Sequence, residues 1–185
     1  MTSAPGTSQM TAAAGVKLPS ERPAIRHNVG VADMSVESGP DAEIATHALG
    51  SCIGVTIWDP VARVGGMLHF MLPLSSTNKE KARSTPAMFA DTGVPLLFRR
   101  AYELGATKER LIVCAAGGAE VMGGESQFRI GSRNRTVLRK LFWKNNVMIQ
   151  SEDCGGNDCR AMSLSLTDGT VSIRHRGMTR TLWAA

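Results

Sequence analysis

The chain has 185 residues, 43% of them hydrophobic and 20% charged, which suits one soluble domain with a real core. No apolar run approaches the ~18 residues that a bilayer crossing needs, and the N-terminus lacks the basic start and apolar centre of a secretory signal. The formal net charge is +5, with Lys and Arg gathered at residues 129–144 and 174–180, a balance that favours acidic partners.

Residues 1–22 are mostly Ala, Ser, Thr, Pro and Gly, so they are expected to form a disordered tail before a single domain over 23–180, with a short tail at 181–185. Residues 29–36 read as a first strand, closed by Ser38-Gly39-Pro40. An apolar stretch over 44–49 runs into Gly50-Ser51-Cys52, and the β-branched run 53–58 predicts a strand that ends at the turn signal Asp59-Pro60. The extended pattern resumes over 65–72 and stops at Pro73, and the polar residues 74–83 are expected to form a loop. Thr85-Pro86 marks a helix start, Leu97, Ala101 and Leu104 recur at helical spacing, and Gly105 is placed to end the helix. Gly93 and Pro95 leave open whether that helix is one piece or two. Residues 111–116 predict a buried strand, and Gly117-Gly118 and Gly123-Gly124 bracket a flexible loop. Ser132 is expected to cap a second helix that turns Val137, Leu138, Leu141 and Phe142 inward. Residues 147–152 follow as a strand, and Asp168-Gly169 predicts a hairpin between 161–166 and 170–174. This order of elements is α/β or α+β, with antiparallel strands and two or three helices.

The chemistry concentrates in residues 45–73. If 53–58 and 65–72 pair about a four-residue loop at 59–62, Trp58 faces Arg63 and Cys52 falls opposite His69. Directly opposed Cβ atoms lie about 5 Å apart, within reach for a thiol and an imidazole. Such a pair makes a nucleophile: the imidazole takes the thiol proton and later returns it to a departing amine. Thr46 could orient the ring, and backbone N–H groups at Gly50 and Ser51 could hold an oxyanion. Spacing alone leaves two readings open, because a cysteine between Ser and Ile also suits a buried small hydrophobe, and His69 between Leu68 and Phe70 a core histidine.

Other signals are thinner. Four cysteines are too few for a secreted disulfide framework and fit reduced thiols in a cytoplasm. Cys154 and Cys159 have no second Cys or His pair to complete a zinc site. The glycine pairs are not followed by the Gly-Lys-Ser/Thr of a phosphate loop. Aromatics are only 5%, without aromatic–basic alternation, so nucleic acid is not an expected partner. His47 adjoins Thr46, but neighbours on a strand point to opposite faces, so the two would not share a site.

The segment resembles the signature of the CheD family, the chemoreceptor glutamine deamidases. It carries Thr46, Leu49-Gly50-Ser51-Cys52, Asp59-Pro60, Gly65-Gly66-Met67, His69 and Met71-Leu72-Pro73. The likeness continues at residues 29–34, 104–106, Gly117-Gly118-Ala119, Ile130-Gly131-Ser132-Arg133-Asn134 and Gly155-Gly156-Asn157. It departs at Ala115-Ala116, where the family usually has Phe before Gly-Gly-Ala, and at Asp158-Cys159-Arg160 after Gly-Gly-Asn. The resemblance implies a three-layer α/β/β sandwich, a Cys52–His69–Thr46 triad, and no cofactor or metal. It implies a cytoplasmic enzyme that acts on glutamines in the helical region of methyl-accepting chemotaxis receptors. Some family members also bind a CheC-type phosphatase, so a non-catalytic or dual-role interaction module is the alternative.

Overall fold

The computed structural model describes residues 25–120 and 129–184; the expected tail over 1–22 and Gly123-Gly124 lie outside the described residues. Two five-stranded sheets form two of three layers. The first has the order β1 (Ile25–Val29), β3 (Ala42–Leu49), β8 (Arg160–Ser165), β9 (Val171–His175), β10 (Met178–Trp183). The second has β2 (Asp33–Ser38), β5 (Val64–Phe70), β4 (Ile53–Asp59), β6 (Ile112–Gly117), β7 (Ser151–Cys154). Among these strands β1–β3 and β6–β7 pair in parallel, and the other pairings are antiparallel. Helices α1 (Lys79–Ser84), α2 (Ala90–Glu103) and α3 (Ile130–Lys144) are the α-helices among the described residues.

Strand alternation explains the layering. Along β4 and β5, Ile53, Val55, Ile57, Leu68 and Phe70 face α2 and α3, where they meet Leu97, Phe98, Leu138 and Phe142. The intervening side chains Trp58 and Met67 face the first sheet and meet Ile44, Leu49, Met162, Leu164 and Ile173. The centre of the second sheet is therefore buried on both faces, and every residue of β4 and β5 is buried. This is the expected α/β/β sandwich. No helix among the described residues is long and apolar enough to cross a membrane.

Several boundaries differ from the sequence-based expectations for local reasons. The strand expected over 29–36 is two strands, because Ala32 turns the chain at φ 60. The loop expected over 74–83 contains α1, which Asn78 caps by accepting from the Lys81 amide. α2 is one helix with Pro95 inside it. α3 begins two residues before Ser132, so Ser132 is inside the helix and its amide donates to Glu120 Oε1 at 2.7 Å. The strand expected over 147–152 starts only at Ser151 and runs on to Cys154 as β7, and the last strand runs past residue 181 through Trp183, since β10 pairs with β9.

Candidate active site

The nucleophile candidate lies where the chain crosses from one sheet to the other. β3 pairs with β8 up to Thr46, slips register, and resumes at Leu49 opposite Arg160. The slip is a bulge, with Ala48 at φ 57. The Gly50 amide then donates to the Ala48 carbonyl at 2.9 Å, a three-residue turn that swings Gly50-Ser51-Cys52 out of the first sheet and into the start of β4. Three neighbours pin this crossing. Ala119 N–H donates to Gly50 O at 2.8 Å and Gly118 N–H to Cys52 O at 2.7 Å. Asn134, fully buried on α3, donates from Nδ2 to Ser51 O at 2.9 Å and to Met71 O at 3.0 Å. Gly117, at φ 110, has to be glycine, because a Cβ there would collide with the Cys52 carbonyl oxygen.

The hairpin register corrects the expectation by two residues. Asp59 pairs with Val64, so the loop is 60–63, and His69 stands opposite Gly54 rather than Cys52. The cause is Asp59, whose carboxylate accepts from the amides of Val61 (2.9 Å) and Ala62 (3.0 Å) and so folds the loop after itself. Burial alone would raise the Asp59 pKa, but Arg110 and the amides of Ala62, Thr107 and Val61 hold it down to about 2. A shift of two keeps each side chain on its face. His69 therefore still points between the sheets, and Cys52 packs against the same inter-sheet core one step along the diagonal.

Thr46 and His69 meet across the two sheets: Oγ1 and Nδ1 are 2.8 Å apart, and both residues are fully buried. The Thr46 hydroxyl donates its one proton to Val29 O at 2.7 Å. It can only accept from the imidazole, so Nδ1 carries the ring proton and Nε2 is left with a bare lone pair. Nε2 is buried and has no hydrogen-bond partner among the described residues, Cys52 included. Burial pushes the His69 pKa down to about 4, which keeps the ring neutral near pH 7. Burial also raises the Cys52 thiol above its usual value, against its own backbone N–H, which lowers it.

Of the two amides expected to hold an oxyanion, Gly50 is taken by Ala48 O, because the turn closes on itself there; the amides of Ser51 and Cys52 donate to no backbone carbonyl among the described residues. His47 is exposed, on the opposite face of β3 from Thr46. His27 and His175 lie near Glu37 and Asp158, at 3.4 and 3.3 Å. No group of three or more His, Cys, Asp or Glu among the described residues could hold a metal ion. Sequence reasoning singled out no role for Asn134 or Gly117, although both sit in the stretches Ile130-Gly131-Ser132-Arg133-Asn134 and Gly117-Gly118-Ala119.

A family model described as CheD chemotactic sensory transduction matches residues 71–175. This chain belongs to the CheD family. It is 48% identical over 149 residues to the protein named probable chemoreceptor glutamine deamidase CheD 1 of Syntrophus aciditrophicus, with 80% of this chain and 93% of that protein covered. It is 44% identical over 154 residues to the probable chemoreceptor glutamine deamidase CheD of Solibacter usitatus, covering 83% and 91%. The corresponding figures for the CheD 2 protein of Anaeromyxobacter dehalogenans are 45% over 146 residues, covering 79% and 92%. The family model begins after Cys52 and His69, but an alignment covering 80% of the chain takes in Thr46, Cys52 and His69 wherever it begins.

Proposed function

We propose that this CheD chain hydrolyses glutamine side chains of chemoreceptors to glutamate and ammonia, with Cys52 as nucleophile, His69 as base and Thr46 as the residue that orients it. The observation that carries this reading is the buried, unpartnered Nε2 of a neutral imidazole in the layer that also holds Cys52. A bare acceptor away from water is costly unless a proton comes to it. The thiol is the nearest chemical reason for keeping one.

In the first step the Cys52 proton passes to His69 Nε2 and the sulfur attacks the carboxamide carbon. The tetrahedral oxyanion lies against the amides of Ser51 and Cys52. His69 then returns its proton to the nitrogen, the C–N bond breaks and ammonia leaves a thioester. Water, deprotonated by the same Nε2, attacks the thioester carbon and releases glutamate and the thiol. In the resting state Nε2 and the thiol are not hydrogen-bonded, and catalytic hydrogen bonds commonly tighten only with substrate in place. The raised thiol pKa and lowered imidazole pKa fit a neutral pair that exchanges a proton on attack rather than a standing ion pair.

The receptor as substrate rests on the names of the relatives, and the basic surface of α3, with Arg133, Lys140 and Lys144 exposed, suits an acidic helical partner. Such a substrate region lies in the cytoplasm. A CheC-type phosphatase partner rests on the family resemblance alone. The test is mass spectrometry of a receptor cytoplasmic fragment co-expressed with the wild-type chain or with Cys52→Ala. Wild type should give glutamine-to-glutamate conversion at defined sites and the variant none; conversion by the variant would refute Cys52 as the nucleophile.

A further inference from the structure

The outer side of α2 and α3 carries an open groove of about 240 Å³. Val94, Phe98 and Tyr102 of α2 form one wall, and Leu141 and Phe142 of α3 form the other. The aromatic rings touch one another: Phe98 meets Tyr102 edge-on at 6.2 Å between centroids and Phe142 at 6.1 Å. The charged residues that line the groove are Arg99 and Lys108, both exposed, and neither makes an ion pair among the described residues. Glu103, a turn further along α2 from Arg99, is paired with Arg100 at 3.0 Å, and Glu109 follows Lys108 without lining the groove. An apolar floor under a cationic rim therefore faces solvent.

α3 joins this groove to the crossing that carries Cys52. Its first turns lie at the crossing: a Cβ on Gly131 would collide with the carbonyls of Gly118 and Ala119, and Asn134 bonds Ser51 O. Its last turn supplies the groove wall. Between the two ends, Arg133, Lys140 and Lys144 are exposed and fall in one row, since positions 7 and 11 apart share a helix face. None of the three is ion-paired among the described residues. From Arg133 to the groove end of α3 is about 18 Å at 1.5 Å per residue.

We propose that the groove and this basic row are a docking site, remote from the reacting atoms, for one acidic amphipathic helix of the receptor substrate. Its identity as receptor rests on the function proposed above. The helix lies along α3, with carboxylates on Arg133, Lys140, Lys144, Arg99 and Lys108 and an apolar side chain on Phe98 and Leu141. A second copy of this chain is the wrong occupant, because a two-fold contact would set one cationic rim against the other. The geometry also fixes a spacing: the apolar anchor stands about twelve residues along the receptor helix from the glutamine presented to Cys52.

The probe is a receptor cytoplasmic fragment titrated into the full chain carrying Cys52→Ala, which holds it without turnover. Arg99→Glu with Lys108→Glu, and separately Tyr102→Glu, should each raise Kd by at least about tenfold. Lys79→Glu with Arg174→Glu makes the same change in net charge away from the groove and should raise it by less than about threefold. With Cys52 restored, the groove substitutions should raise KM by a similar factor and leave kcat within about twofold. All these side chains are exposed, and urea midpoints check that each variant is folded; should Tyr102→Glu lower its midpoint, the charge pair carries the test. Equal Kd values for the groove and control variants would overturn the proposal, as would no binding of the fragment. Groove-dependent binding to phosphatidylglycerol vesicles, with affinity for the fragment unmoved, would replace the helix by a membrane surface. The two readings separate cleanly. Groove-dependent binding without deamidation by the wild-type chain sinks the catalytic reading and keeps the docking site. Deamidation with KM unmoved by the groove variants does the reverse.

Discussion

At the scale of single residues, one hydroxyl decides the state of the proposed base. Thr46 gives its proton to Val29 O and accepts from His69 Nδ1, so replacing it by the near-isosteric valine removes the ring's only partner among the described residues. Thr46→Val leaves a buried N–H unsatisfied, or lets the ring change tautomer and present Nε2–H to the thiol. The expected result is a kcat lowered by roughly 100-fold, between the effect of losing orientation and that of losing the base, with about 1–3 kcal/mol of stability lost. Parallel ammonia assays and denaturation curves check both. His69 also links stability to pH. Its folded-state pKa, near 4, is below the usual 6.5, so between these values the unfolded chain binds more protons than the folded one. Stability that is full above pH 6.5 should fall as pH drops toward 4, and His69→Gln should flatten the slope in that window. Asp59 acts in a separate, lower window, from about 3.8 down to about 2. Urea titrations at several pH values in both proteins would test this; an equal slope in His69→Gln would exclude His69 as its source.

At the scale of elements, α3 holds the site together through Asn134. Its two donated hydrogen bonds reach the residue before Cys52 and a residue two beyond His69, so one side chain ties together the segments that carry the proposed nucleophile and base. Asn134→Ala should cost about 2 kcal/mol for two stranded carbonyls and lower kcat more than it raises KM. Leu138→Ala, buried one turn along on the same helix, is the control, because it should cost about 2–5 kcal/mol by cavity formation yet leave the pH dependence of Cys52 alkylation unchanged. If both variants shift that profile alike, Asn134 acts only through stability. The β4–β5 hairpin depends similarly on Asp59, which holds its own loop and bonds the Thr107 amide (2.9 Å) and Arg110 (2.7 Å). Arg110 is about a third exposed, so the loss on Asp59→Asn should be near 2 kcal/mol rather than the larger cost of breaking a fully buried pair, readable as a lower urea midpoint.

At the scale of the whole molecule, the strands and helices were legible in the sequence because the β-branched run 53–58 and the turn signals at Asp59-Pro60 and Asp168-Gly169 are local, whereas the three-layer order came from the family resemblance alone. The candidate triad was legible for the same reason, since one short segment carries all three side chains and even an error of two in register preserves their face. The site's scaffold was less so. Asn134 reaches Ser51 from 83 positions away, and no local pattern announces which helix residue will meet a carbonyl. The split of 29–36 into two strands turns on a positive φ at Ala32, a conformation alanine rarely signals. The hairpin register was misread because the Asp59 side chain, rather than the backbone alone, closes the loop.

The account depends on a neutral His69 whose proton sits on Nδ1. Long-range nitrogen–proton correlation spectra of the uniformly nitrogen-15-labelled protein, recorded across pH with His69→Gln for assignment, read that state directly. We expect a protonated Nδ1 and a bare Nε2 at neutral pH, with the ring charging only well below pH 6.5. A proton on Nε2, or an imidazolium at neutral pH, would contradict the assignment of His69 as the base that activates Cys52.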